Sequence, residues 1–169
     1  MVAVPLAAVL LAGCGGGGST SSTTATSAAA PTATTGSGAT GSATTAAVVS
    51  TRTISGLGAV LVNGQGRTLY MFVPDKHAKV TCVGACAQLW PPDKLASGQK
   101  ASAAGAVKSA LLASDPDPEG GRVVTYAGWP LYTYVTDSAP GQATGQNLET
   151  NGGKWYVIAA SGKPVTKAP

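Results

Sequence analysis

Leu69-Tyr70-Met71-Phe72-Val73-Pro74-Asp75 returns later in the chain as Leu131-Tyr132-Thr133-Tyr134-Val135-Thr136-Asp137. Both copies read leucine, tyrosine, any residue, aromatic, two residues, aspartate. A recurring motif of this length marks a duplicated structural unit, and duplicated units generally share one core. Within the first copy Leu69, Met71 and Val73 fall on one face of an extended chain and Tyr70 and Phe72 on the other. Both faces are apolar, so the reading is a strand covered on both sides.

Each copy is preceded by a partner strand. Ala59-Val60-Leu61-Val62 leads into the turn Asn63-Gly64-Gln65-Gly66, whose Asn and Gly accept positive φ cheaply, and Arg67 to Val73 returns as the second strand of a hairpin. Arg122 to Tyr126, the turn Ala127-Gly128-Trp129 and the return from Pro130 to Val135 repeat the plan. Further strands are expected at Ala106–Ala113 and Lys154–Ala160, with a loop from Asp115 to Gly121 and a short closing strand after Ser161-Gly162. Ala85 to Trp90 suits a turn of helix stopped by Pro91-Pro92, and propensity alone also allows a helix over Ala101–Leu111. The fold class is mainly β: a small antiparallel β domain of two similar hairpin repeats, about 56–92 and about 122–160, related by a pseudo-twofold.

The charges set the domain boundary. All 11 lysines and arginines and all 7 aspartates and glutamates lie after Thr51. Residues 51–169 are therefore assigned to the folded domain, long enough to bury a core. The net charge of +4 is scattered singly, without a basic run or an aromatic-interleaved stripe, so no nucleic-acid partner is expected.

Val2 to Leu10 is an apolar stretch too short to span a bilayer comfortably, and it runs into Leu11-Ala12-Gly13-Cys14. This resembles the bacterial lipobox. The resemblance implies a signal peptide at 1–13, cleavage before Cys14, and a lipid-bearing mature N-terminus on the outer face of the cell membrane. No lysine or arginine precedes Cys14, a departure from the usual signal. Residues 14–50 read as a disordered linker, because the Gly, Ser, Thr and Ala of Gly15 to Ala47 cannot repay the entropy of folding. Such a tether has an r.m.s. span of roughly 30–35 Å.

The chain also resembles a family of predicted bacterial lipoproteins with a repeated Tyr-x-aromatic-x-x-Asp motif, the secreted repeat of unknown function. The residues that carry the resemblance are Leu69-Tyr70 to Asp75, Cys82-Val83-Gly84-Ala85-Cys86 with Trp90-Pro91-Pro92, Val124 through Tyr132, and Lys154-Trp155-Tyr156-Val157. It implies a lipid-anchored extracytoplasmic protein and no particular activity.

Several residues could carry chemistry. Asp75 and Asp137 would serve as an acid–base pair or calcium ligands if they shared a cleft. The simpler reading is a clamp in which each accepts bonds from backbone N–H groups or a tyrosine hydroxyl as its strand ends. Such a clamp explains the fixed offset in both copies. Cys82 and Cys86 suit a small disulfide loop in an oxidising compartment. The alternative is a redox pair or a copper site with His77 and Met71 nearby. His77 is the only histidine, which leaves no Ser/His/Asp set to defend. Tyr70, Phe72, Tyr132, Tyr134, Trp90, Trp129 and Trp155 would form either an aromatic core or a stacking platform for glycan, haem or quinone. Trp129, in the expected turn, is the binding candidate. The resulting expectation is a non-enzymatic, lipid-anchored extracytoplasmic β module for binding or envelope structure. Its partners would be the membrane and an envelope glycan or protein, and no cofactor is expected. An extracytoplasmic redox or metal accessory, with copper or haem at Cys82 and Cys86, is the alternative.

Overall fold

The computed structural model describes residues 47–75 and 79–169. Its strands are β1 (Val48–Ile54), β2 (Gly58–Val62), β3 (Tyr70–Phe72), β4 (Lys94–Leu95), β5 (Ser102–Ala103), β6 (Leu112–Pro116), β7 (Arg122–Tyr126), β8 (Trp129–Pro130), β9 (Glu149–Thr150) and β10 (Gly153–Val157). The one α-helix among the described residues, α1, spans Ala85–Leu89, and 3-10 turns occupy Val73–Asp75 and Ser109–Leu111. The protein is mainly β, as the alternation indicates. Three small sheets run β2-β1-β5, β3-β10-β9 and β4-β7-β6, with β8 added on β7. The pairings are antiparallel except β1 with β5.

The two motif tyrosines mark the centre. Tyr70 N–H donates to the Tyr132 carbonyl at 2.8 Å, and Tyr132 N–H donates to the Tyr70 carbonyl at 3.0 Å. Hydrogen bonds on either side match in pairs. Leu69 donates to Leu61 and Leu61 to Ile158; in the other repeat Leu131 donates to Val124 and Val124 to Asp93. Thus each hairpin takes its third strand from the opposite repeat. The segment after Trp155 lies along Tyr70–Phe72, in β10–β3 register, while the segment after Trp90 bridges Tyr132 through Pro92 and reaches β7 through β4.

Strand alternation sorts side chains into two cores. Val60, Tyr70, Phe72, Trp90, Val123, Tyr132, Trp155 and Val157 pack in one. Leu61, Leu69, Met71, Val124, Leu131 and Ile158 pack in the other, with Val49, Val107 and Tyr126. The shared strands are therefore covered on both faces, at about 1.5–3 kcal/mol of hydrophobic stabilisation for each large apolar side chain fully buried.

Several local expectations change. Val48–Ser50, counted as linker, open β1, and Val49 is buried in the second core. Val73 leaves the strand face for the 3-10 turn and is exposed, and the second return, expected as a strand over Pro130–Val135, is regular only at Trp129–Pro130 and ends with Val135 in an exposed turn. The strand expected at Ala106–Ala113 lies instead at Leu112–Pro116, preceded by the 3-10 turn, and no helix forms over Ala101–Leu111. β6 pairs only with β7, and an edge strand of this kind tolerates Asp115 and Pro116. Finally, the second hairpin turns at Ala127 and Gly128, both at positive φ, which puts Trp129 in β8. The closing segment after Gly162 pairs back through the Ile158–Pro164 bridge.

Candidate functional site

The two copies of the motif exchange their polar ends. Tyr70 Oη donates to Asp137 Oδ2 at 2.5 Å, and Tyr132 Oη donates to Asp75 Oδ2 at 2.6 Å. Each tyrosine thus bonds the aspartate of the other repeat. The second carboxylate oxygens are held alike. Asp75 Oδ1 accepts from Thr81 N–H at 2.8 Å and Thr81 Oγ1 at 2.6 Å. Asp137 Oδ1 accepts from Thr144 N–H at 2.9 Å and Thr144 Oγ1 at 2.6 Å. All four motif residues are buried. Burial, followed by the bond to a carboxylate, pushes both phenols far up, so they remain protonated donors. Burial likewise raises the Asp75 carboxyl, against the pull of its Thr81 and Tyr132 hydrogen bonds.

The 3-10 turn at Val73–Asp75 delivers the first carboxylate under the strand it terminates. Its oxygens are filled by donors from within the fold, and those of Asp137 likewise. What this arrangement can do chemically is lock two repeats together through buried, charge-assisted bonds.

The aromatic residues complete the lock. Phe72 stacks on Trp155 at 4.2 Å between ring centroids, Trp155 on Trp90 at 3.9 Å, and Trp90 on Tyr134 at 4.1 Å. Tyr70 meets Trp90 edge-on at 5.3 Å, and Tyr132 meets Trp155 edge-on at 5.3 Å. The four-ring stack is itself two-fold: an indole from each repeat lies at its centre and an aromatic motif residue caps each end. Both indoles are wholly buried, so their faces meet one another rather than an open platform. Trp129 is apart from this stack. It is half-buried on β8 and packs against the second core.

Cys82 and Cys86 form a disulfide across the start of α1, with Cα atoms 5.2 Å apart. In that form neither sulfur is a thiolate ligand. Among the described residues no group of three or more His, Cys, Asp or Glu side chains is placed to hold a metal ion. Cys14 and His77 lie outside the described residues.

Sequence reasoning passed over Asp93. It follows Trp90-Pro91-Pro92 as Ile158 follows Trp155-Tyr156-Val157, and the hydrogen bonds above give the two residues the same place in their repeats. Ile158 is wholly buried in the second core, whereas Asp93 lines a recess of about 210 Å³ with Val48, Asn63, Gln65, Lys94 and Gln99. Desolvation pushes the Asp93 carboxyl up to about 6, although a hydrogen bond from the Asn63 side chain favours its charged form. The neighbouring ammonium of Lys94 turns to Asp117 at 2.8 Å and to the Gly120 carbonyl at 3.2 Å. Aligning the two copies beyond the motif, Trp to Trp, exposes this acid-for-isoleucine exchange in the sequence itself.

No curated protein and no solved structure matches the chain. A family model does match, twice, over residues 51–94 and 115–159, the two segments that build the exchanged hairpins. The chain belongs to the family described as the secreted repeat of unknown function.

Proposed function

We propose that the protein is a lipid-anchored extracytoplasmic module with a binding or envelope-structural role, held to the outer face of the cell membrane through Cys14. The observation that carries this reading is the fate of the motif carboxylates. Asp75 and Asp137 are spent on tyrosine and threonine donors inside the fold, so the repeated signature serves architecture. Membership of a secreted family supports the extracytoplasmic location. No helix among the described residues is long and apolar enough to cross a membrane; in this reading the Cys14 lipid holds the protein there. A two-chain lipid, at about 0.8 kcal/mol per buried methylene, would anchor it firmly. The partners in this reading are the membrane and an envelope glycan or protein, with no cofactor and no nucleic acid, and Trp129 is a contact residue.

Fractionation tests the anchor. The native protein should sediment with membranes and carry a diacylglyceryl mass on Cys14, and Cys14→Ala should abolish both. A Cys14→Ala protein that stays membrane-bound refutes it. An envelope pull-down that is weakened by Trp129→Ala supports the binding role. Metal ligation at Cys82 and Cys86 requires thiolates, so two free thiols on titration of the unreduced protein would count against the structural disulfide and for the metal reading.

A further inference from the structure

The recess at Asp93 has three features that bear on an occupant. First, it is where the duplication is broken: one repeat fills this strand position with Ile158, and the other places a carboxylate there beside open space. Second, the carboxylate is half-buried and has no ion-pair partner among the described residues, because Lys94 is committed to Asp117. A desolvated carboxylate gains most from a cation that brings its own donors. Third, two glutamine amides, Gln65 and Gln99, line the recess and each offers both donors and acceptors, while the Asn63 amide accepts from the Gln65 and Arg67 N–H groups and donates to Asp93, holding the carboxylate in place. That inventory matches hydroxyl groups, which also donate and accept. The size of about 210 Å³ lies below the roughly 300–1,000 Å³ of pockets for drug-sized ligands, so it limits the occupant to a small unit.

We infer that the recess lined by Asp93, Asn63, Gln65 and Gln99 is a binding site for a small ammonium-bearing polyol, an amino-sugar unit with a free amine. The ammonium pairs with the Asp93 carboxylate and the ring hydroxyls exchange hydrogen bonds with the Gln65 and Gln99 amides. Val48 and the aliphatic part of the wall cover an apolar ring face. This deepens the binding reading above by naming its ligand class, and it rests on that reading.

The test is a titration of the full-length chain with D-glucosamine, followed by NMR of the Asn63, Gln65 and Gln99 side-chain amides. Saturable shifts are expected with glucosamine at lower concentration than with glucose, N-acetylglucosamine or butylamine. The first two lack the cation, and the last lacks the hydroxyls. Asp93→Asn should weaken glucosamine at least about tenfold, the equivalent of about 1.4 kcal/mol. Gln99→Ala should weaken it about 3- to 10-fold, the range for one lost hydrogen bond. The second variant carries the test if the first fails to fold. Absence of saturable glucosamine shifts, equal binding of N-acetylglucosamine or of butylamine, or unchanged affinity in both variants overturns the inference. Cys14→Ala fractionation reports separately on the anchor. An anchored protein with an inert recess defeats the sugar site alone, and an unanchored one that still takes glucosamine defeats the anchor alone.

Discussion

Two kinds of carboxylate divide the labour at the scale of single residues. Asp75 and Asp137 are buried and bonded on both oxygens, so their removal is a stability event. Asp137→Ala should cost about 2–4 kcal/mol, because it strands the Tyr70 hydroxyl and the Thr144 donors, and Asp75→Ala should match it. Urea unfolding measures this, and unchanged stability in both variants would rule out the clamp. A double-mutant cycle of Tyr70→Phe with Asp137→Asn should return a coupling of about 1–3 kcal/mol. Asp93 behaves differently. Its carboxyl titrates near 6 folded against 3.8 in the reference state, so between these values the folded protein holds a proton that the unfolded chain has lost. Its contribution to stability is present at low pH and is lost as pH rises from about 4 to about 6. The charged side chain lining the same recess is Lys94. Asp93→Ile, the residue of the other repeat, should therefore match the parent melting temperature near pH 4 and exceed it above pH 6. A difference curve that is flat with pH would refute the assignment.

At the scale of elements, the strand–turn–strand units, the two-faced β3 and the helical turn before Pro91 are legible because they rest on local chemistry: alternation, turn residues and a proline stop. The exchange of third strands between repeats is not legible, since nothing local distinguishes a strand that pairs with its own hairpin from one that pairs across. Val48 and Val49 were hidden for a related reason. Their neighbours have linker composition, and only the burial of Val49 in the second core and the pairing of β1 with β2 and β5 make them a strand. The aspartate offset signalled a clamp, but not that its tyrosine would come from the other copy. Asp93 was readable only by aligning the repeats past their motif. Close packing makes two element-level predictions. An added Cβ at Gly145 would come within 2.6 Å of the Trp90 ring, so Gly145→Ala should cost about 1–3 kcal/mol and disturb the near-UV circular dichroism of the indole stack. The Cys82–Cys86 bond closes a very short loop, so reducing it should remove only about 2 kcal/mol on the chain-entropy model. The reduced domain should melt earlier and still fold cooperatively; complete unfolding on reduction would contradict this.

At the scale of the whole molecule, neither repeat is complete. Each lends the other a strand, an indole, a tyrosine hydroxyl and a carboxylate. A chain cut at the exposed Ser97-Gly98 turn should therefore yield two fragments that are unstructured alone and regain the indole signal when mixed in equal amounts. Structure in either fragment by itself would show that the repeats are autonomous.

The reciprocal Tyr–Asp bonds have the form of a symmetric homodimer's contact, in which residue i touches j and j touches i. Here the two partners have been fused into one polypeptide. A half bonded this way cannot distinguish its own counterpart from the same half of a neighbouring molecule, so the covalent connection alone keeps the match within one chain. Refolding at high concentration should trap interlocked dimers that preserve every Tyr–Asp pair, and their share should grow as residues are deleted from the exposed Ala96–Gly98 connection. Analytical ultracentrifugation would count them.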